Sequence, residues 1–534
     1  MSLARPALAG AGPLVRFALR RDRIRLPVWI AVGAALVAEQ SLGSQALYDT
    51  PAALAAYRAT VGSSAAAIAF SGPPVGLTTV AGAVAFEISG SVMIVAALMA
   101  MFTTGRHSRA DEEAGRTELV RSAEVGRHAP LLAAVVVSAL ACLGMGVAIG
   151  LAATLTGLPA HGSFLLGAGV GACGLVFTGV TAVAAQVSES TRAAYGLAGA
   201  VLGVAFLLRA VGDINGSGLV WASPIGWAQA VHPFSDDRWW PLLLCVAATG
   251  ALLLLAVGLL DHRDLGAGLL SGRAGAPEAG GLLSSPLGLA VRLQRAALLA
   301  WAVSLGVLGA VYGGMGDAVE GLFKANPQAQ AFLPGASAAG LVEAYLATIF
   351  SIDALLAAAF AVSSVLRART EESSGRAEPV LATATSRTTW LRSHVAVALL
   401  GSALLVMLSG AATALVRAAA TGDAGSFGRL FTASLAYVPA VWVVAGVAVA
   451  AVGALPRAAT ALAWAVVGYV VVVTVFGPGL NWPGWVSDLS PFSWTPLVPV
   501  ESWTATAAAG LAAAVVVLLA VGFGAFRRRD LSPG

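Results

Sequence analysis

Residues Leu131–Leu155 read LLAAVVVSALACLGMGVAIGLAATL, an unbroken apolar run with no charged side chain. An α-helix needs about 20 such residues to cross the hydrocarbon core of a bilayer. In lipid, every backbone N–H and C=O must be satisfied within the segment, which selects helix. The run does not alternate with period two, so it does not read as a strand of a transmembrane barrel. Similar blocks recur at Leu242–Leu260 and Ala505–Phe526. The composition agrees: 58% of residues are hydrophobic and 11% are charged. Soluble domains carry about 25% charged residues, so soluble classes are excluded.

Working outward gives twelve expected spans, near 26–44, 79–104, 129–156, 164–187, 194–211, 240–261, 296–315, 343–366, 393–419, 430–453, 458–476 and 504–526. The expected fold is an all-α membrane protein of about twelve transmembrane helices in two parallel six-helix repeats. The expected division is a first half over 1–265, a Gly/Ser/Pro-rich linker over 266–286 and a second half over 287–534. Such a linker is too short to hold a folded domain. The N-terminal arginines before Leu26–Ala38 imitate a signal peptide, but Glu39-Gln40 interrupts the run, so a retained first span is expected.

Arginine sets the expected orientation. One set of loops carries Arg16–Arg25, Arg106, Arg109, Arg116, Arg121, Arg127, Arg192, Arg263, Arg273, Arg292, Arg295, Arg367, Arg369, Arg376, Arg387, Arg392, Arg457 and Arg527–Arg529. The opposite loops hold little beyond Arg58, Arg238, Lys324 and Arg429. The positive-inside rule then puts both ends of the chain in the cytoplasm. The opposite loops are rich in Trp, with Trp227, Trp239 and Trp240 in one and Trp482, Trp485, Trp494 and Trp503 in the other. Tryptophan favours the membrane–water interface. The scarcity of lysine, with Lys324 alone, suggests a bacterium with GC-rich genes and a plasma-membrane location.

The loop just before Leu131 carries the most specific signal. With a shift of 260 positions, Arg109, Glu112, Gly115, Arg116, Glu118, Val120 and Arg127 fall on Arg369, Glu372, Gly375, Arg376, Glu378, Val380 and Arg387, and Asp111 falls on Glu371. The shared pattern is R-x-[DE]-E-x-x-G-R-x-E. Two weaker echoes follow. Ser223-Pro224-Ile225-Gly226-Trp227 matches Ser490-Pro491-Phe492-Ser493-Trp494, and Arg263-Asp264-Leu265 matches Arg529-Asp530-Leu531. All three echoes keep the same expected membrane side, which makes the halves parallel repeats, an organisation found in transporters.

Within each loop copy, Glu112 precedes Arg116 by four residues and Glu372 precedes Arg376 by four. That order predicts an ion pair along one helix face. The glycine before each arginine predicts a weakened or ended helix. Two roles compete for this loop: a docking element for a partner, or a solvated charged loop that only sets topology.

Other residues stand out. Arg16, Arg20 and Arg23 share a helix face, with Leu14 and Ala18 roughly opposite, which predicts an amphipathic elbow at the interface. Val291, Arg292 and Arg295 form a poorer second version. Glu39, Glu87, Glu343 and Asp353 lie in or near spans, where charge is costly and usually functional. Glu87 and Asp353, with Phe86 and Phe350, are the candidate substrate path. The competing reading is an internal ion pair or hydrogen bond, for instance with Arg209 or Arg417. Gly146 with Gly150, and Gly167 with Gly171, are helix-packing pairs. Cys142, Cys173 and Cys245 sit inside apolar blocks and read as small buried hydrophobes.

No G-x-x-x-x-G-K-[ST] phosphate loop occurs, because Lys324 follows Phe323. Leu270-Ser271-Gly272 is only a fragment of an ATPase signature. No metal-ligand spacing and no catalytic constellation occurs, and no nucleic-acid role is indicated. The chain reads as a transport component and not an enzyme, with no metal or cofactor of its own.

An acidic pair, glycine and arginine between the second and third of six spans resembles the permeases of ABC type-2 exporters. The duplicated twelve-span layout resembles the bacterial polyketide and tetronasin antibiotic exporters of that family. The resemblance implies that the loop is a coupling helix docked on a separate ABC ATPase. It implies two copies of that ATPase, with ATP and Mg held there. Glu112, Gly115, Arg116 and Glu118, with Glu372, Gly375, Arg376 and Glu378, would form the contact. The copies depart at Leu119 and Pro379, so the two docking sites are expected to differ. The expected cargo is a hydrophobic or amphipathic compound such as a drug or antibiotic. One alternative is a proton-coupled secondary transporter of the major facilitator type, whose D-R-x-G-R loop Asp111–Arg116 superficially matches. The other is a non-transport membrane scaffold.

Overall fold

The computed structural model describes residues 7–264, 266–269, 277–278, 280–317, 319–320, 340–476 and 483–530. Lys324, Arg273, Trp482, Leu265, Leu531 and Leu270-Ser271-Gly272 lie outside those residues. The described chain is helical, with no strand among the described residues. It divides into two compact units, Met1–Ala274 and Gly275–Gly534.

In the first unit, a short helix α1 (Ala11–Arg21) leads into α2 (Arg25–Leu47). Two short helices, α3 (Pro51–Thr60) and α4 (Ala65–Ser71), then precede α5 (Val80–His107). The loop pieces α6 (Arg109–Glu113) and α7 (Arg116–Arg121) connect α5 to α8 (Ala129–Leu155). Then come α9 (Ala160–Val187), α10 (Thr191–Asn215), the short α11 (Pro224–Gln229) and α12 (Pro241–Asp261). The second unit has α13 (Pro286–Gly314), α14 (Leu341–Ser373), the short α15 (Glu378–Leu381) and α16 (Arg387–Thr421). It continues with α17 (Gly425–Leu435), α18 (Val438–Ala454), α19 (Ala459–Phe476), α20 (Gly484–Asp488) and α21 (Ala505–Arg528).

Eleven of these helical stretches are long and apolar enough to cross a membrane, against about twelve expected. The remaining expected span is α19, which is apolar over Ala459–Val475 and borders residues that are not described. Each unit repeats the same neighbours. The first span packs on the third, the second on the third and fourth, and the fourth on the sixth. The second spans, α5 and α14, are largely buried, whereas α12 and α13 present Leu243, Leu254, Leu299 and Val303 outward. Apolar side chains pointing away from the bundle are what a lipid solvent favours.

Small residues set the closest approach. An added Cβ at Gly167 would sit 2.1 Å from the Gly146 carbonyl oxygen, and one at Gly146 would sit 2.6 Å from that of Gly167. The two small-residue pairs therefore face each other across α8 and α9, where backbone contact replaces side-chain interdigitation. The Ser-Pro-x-x-Trp echoes also fold alike. Trp227 Nε1 donates to the Trp221 carbonyl (2.6 Å), and Trp494 Nε1 donates to that of Asp488 (2.7 Å), each six residues back. Trp239, Trp240, Trp485, Trp494 and Trp503 are exposed at these ends.

Two elbow expectations change. Arg16 and Arg20 lie exposed on α1 with Leu14 half-buried and Ala18 buried, but Arg23 falls in the turn after the helix ends at Arg21. Asp22 stops α1 there, because its buried carboxylate is held by His107 at 2.5 Å and Arg106 at 3.4 Å. Arg292 and Arg295 do not form a separate elbow. They belong to α13, which runs on without a break from its Ser285 cap.

Candidate functional site

The repeated loop begins where a helix cannot continue. Gly115 has φ +71°, and Gly375 has the same φ of +71°. An L side chain is strained in that left-handed region, whereas glycine adopts it freely. A Cβ at either position would meet nothing within 4 Å, so conformation and not crowding demands glycine. The Gly115 N–H closes on the Glu112 carbonyl (3.0 Å) and the Gly375 N–H on that of Glu372 (3.1 Å). This is how a helix ends on a left-handed residue.

That turn changes the expected ion pairing. Arg116 does not reach Glu112, because the chain reverses between them. It pairs with Asp111 at 2.8 Å, and Arg376 pairs with Glu371 at 3.0 Å. The second acid of each loop is thereby released to point inward. Glu112 receives Arg263 as a two-pronged fork, Nη1 to Oε1 at 2.7 Å and Nη2 to Oε2 at 2.8 Å. It also accepts from Arg109 Nη1 (3.0 Å) and from the Gly266 N–H (2.9 Å). Glu372 receives the same fork from Arg529, at 2.6 and 2.7 Å, with Arg369 at 3.4 Å. Paired N–H···O contacts of this kind fix orientation as well as adding strength.

The flanking arginines complete a clamp. Arg109 Nε donates to the Glu189 carbonyl (3.0 Å) and Arg369 Nε to that of Pro456 (3.1 Å). Both carbonyls belong to the connection between the fourth and fifth spans of their unit. Arg127 Nη2 donates to the carbonyls of Leu260 (2.8 Å) and Asp261 (3.1 Å), and Arg387 Nη1 donates to that of Arg529 (3.1 Å). Last-turn carbonyls have no partner in their own helix, and cations suit the negative end of its dipole. The loop after the second span thus grips the fourth–fifth connection and the end of the sixth span, in both units. The arginine of the R-D-L echo is the counter-ion of the loop's second acid, a link that sequence alone left unmade.

What remains at the surface differs from the expected set. Glu112 and Glu372 are buried, with side chains 8% and 2% exposed, so they do not offer a contact face. Arg116, Glu118, Arg376 and Glu378 are exposed, and Gly115 and Gly375 are half-buried. Beside them, Leu119 stands 76% exposed in the first copy, where the second has exposed Pro379. The element after the glycine is also shorter in the second copy, four residues in α15 against six in α7. In the first unit, Arg21 at the end of α1 joins Asp111 at 2.7 Å, tying the elbow to the loop.

The intramembrane acids do not meet Arg209 or Arg417. Arg209 pairs with Asp213 (3.7 Å) and donates to the carbonyls of Ile68 and Phe70. Arg417 pairs with Asp317 and Arg429 with Glu343 (3.7 Å). Glu39 is exposed on α2. Glu87 accepts from Gln40 Nε2 (2.7 Å), Ser44 Oγ (2.6 Å) and Tyr48 OH (2.7 Å). Asp353 accepts from Ser409. Phe86 and Phe350 are buried within their own units. The first unit also holds a cavity of about 860 Å³ beside Tyr48, between α3 and the start of α5.

Comparison with known proteins places the sequence beside a known permease. Residues 283–527 match the family described as the C-terminal domain of the multidrug efflux system permease Rv1217c. Over 523 residues the chain is 39% identical to the multidrug efflux system permease protein Rv1217c of Mycobacterium tuberculosis, covering 97% of this chain and 94% of that protein. At that identity over nearly the whole of both chains, this protein belongs to the family of the Rv1217c multidrug efflux system permease.

Proposed function

We propose that this chain is the membrane permease of an ATP-driven exporter that expels hydrophobic or amphipathic compounds, drugs among them. The relative's name supports efflux of drugs through a permease. The observation that carries the ATP-driven part is the duplicated clamp. Two loops with one hydrogen-bond plan each present a short exposed edge, Arg116–Glu118 and Arg376–Glu378. A motor that pushes on such an edge moves the second and third spans together with the fourth–fifth connection and the end of the sixth span, because the clamp joins them. On this reading a separate ABC ATPase docks at each edge and holds the ATP and Mg. The arginine-rich ends face the cytoplasm and the tryptophan-rich ends face outward. The chain itself resides in a bacterial plasma membrane and performs no hydrolysis.

The test is co-purification with a candidate ABC ATPase subunit, followed by export from inverted vesicles. Arg116→Glu with Arg376→Glu is expected to abolish ATPase association and ATP-dependent efflux while the permease still folds. Efflux that persists without ATP and collapses with the proton gradient would instead establish the secondary-transporter alternative. A chain that binds no ATPase and moves nothing would leave the scaffold.

A further inference from the structure

One side of α1 carries cations that the protein does not pair. Ala18 is buried, and Val15 and Leu19 pack on the core of the first unit. Away from that core, Arg16 and Arg20 are exposed, as are Arg23 in the turn after the helix and Arg25 at the start of α2. Among the described residues, none of these four makes an ion pair or a side-chain hydrogen bond. By contrast, Arg106, Arg109, Arg116, Arg127 and Arg263, at the same end of the unit, each meet a carboxylate within 3.5 Å. Asp22 is the only acid in the first 38 residues, and it is buried against His107 and Arg106. The segment therefore has no free acid with which to neutralise its own surface.

The residues between the arginines indicate where the counter-charge lies. Phe17, Ile24 and Val28 stand 63%, 68% and 54% exposed. Large apolar side chains left uncovered at the start of a membrane span are covered by acyl chains. Arg25 opens α2, which is long and apolar enough to cross a membrane. At that level, long cationic side chains reach the headgroup layer while their apolar neighbours sit in the acyl boundary. Guanidinium groups take phosphate oxygens in paired hydrogen bonds. A zwitterionic headgroup offsets its own phosphate, whereas an anionic one does not, so clustered unpaired arginines select the anionic lipid.

We propose that Arg16, Arg20 and Arg23, with Phe17 and Ile24, form a binding site for an anionic phospholipid at the start of the first span. The lipid lies on the helix whose Arg21 holds Asp111 of the first repeated loop at 2.7 Å. Binding needs neither an ATPase nor export, so the site stands apart from the efflux reading.

The experiment counts lipids retained by the detergent-purified full chain in native mass spectrometry, titrated with phosphatidylglycerol or with phosphatidylcholine of the same acyl chains. Wild type is expected to favour phosphatidylglycerol by roughly twentyfold or more, since each arginine near an anionic headgroup is worth about fivefold. Arg16→Gln with Arg20→Gln is expected to bring the preference within about threefold of none. Arg16→Lys with Arg20→Lys, which keeps the charge, retains most of it. Arg292→Gln with Arg295→Gln is the matched control, because it removes two exposed arginines from α13. Its preference should stay within about twofold of wild type. Melting temperatures verify that every variant folds. No preference in wild type, an undiminished preference in the α1 pair, or equal loss in the α13 pair would each overturn the site. Release of the lipid by millimolar inorganic phosphate would show a bare-anion site and overturn the lipid as its occupant.

Discussion

Arg529 forks onto Glu372 through both carboxylate oxygens at 2.6 and 2.7 Å, from 157 residues away in the chain, as Arg263 forks onto Glu112 from 151. The arginine comes from the end of the sixth span and the acid from the loop after the second. Losing either partner leaves a buried charge short of its strongest contact, which typically costs about 3–5 kcal/mol. Arg109 and Arg369 still touch the acids, so the lower part of that range applies. Arg263→Ala and Arg529→Ala should each lower the melting temperature of the purified chain by several degrees, with Glu112→Gln and Glu372→Gln close behind. A thermal shift within error of wild type for all four would remove the clamp from any account of stability.

The left-handed glycines give a separable prediction. Gly115→Ala and Gly375→Ala meet open space, so the penalty is conformational, roughly 1–2 kcal/mol each. Asparagine tolerates that region better than alanine. Gly115→Asn should therefore sit between wild type and Gly115→Ala in thermal stability. If the two variants are equally mild, the turn is not held where the structure has it.

How much of this was legible in the sequence depends on the length of the signal. The spans were readable because each is a long apolar run, and the duplicated loop because its pattern repeats without a gap. The pairing inside the loop was not, since helical spacing assigns Arg116 to Glu112 while the turn at Gly115 gives it to Asp111. Arg23 failed for the same reason, because the buried Asp22 ended the helix one residue earlier. The donors to Glu87 were invisible for another reason. Gln40 and Ser44 are neutral, and only the packing of α2 on α5 brings them within reach. Arg263 and Arg529 were noticed only as an echo, and their role needed the fold.

The exposed edges of the two loops are unequal, and that makes a third prediction. Leu119 stands out of a six-residue helix, whereas Pro379 occupies the matching place in a four-residue one. An apolar side chain this exposed at the candidate docking edge would carry more contact energy than its proline counterpart. Leu119→Ala should weaken association with the proposed ATPase more than Pro379→Ala, by several-fold in dissociation constant measured by surface-immobilised binding, with both variants equally stable. Equal effects would mean that the two edges are used alike despite their sequences.

The contact between α8 and α9 provides the sharpest packing test. An alanine at Gly167 would bring a Cβ to 2.1 Å from the Gly146 carbonyl oxygen, and backbone cannot yield as a flexible side chain can. Separating the helices enough to admit it should cost about 1–3 kcal/mol, the usual penalty of overpacking. Gly203→Ala on α10 is the matched control, because a Cβ there meets nothing within 4 Å. Alanine forms helix more readily than glycine by about 1 kcal/mol in water, so this change should be neutral or stabilising. The two substitutions alter composition identically and differ only in what lies opposite. A melting temperature lowered by Gly167→Ala and not by Gly203→Ala therefore reports the close approach itself. Equal shifts for both would show that α8 and α9 can part without loss, and that their glycines serve flexibility and not contact.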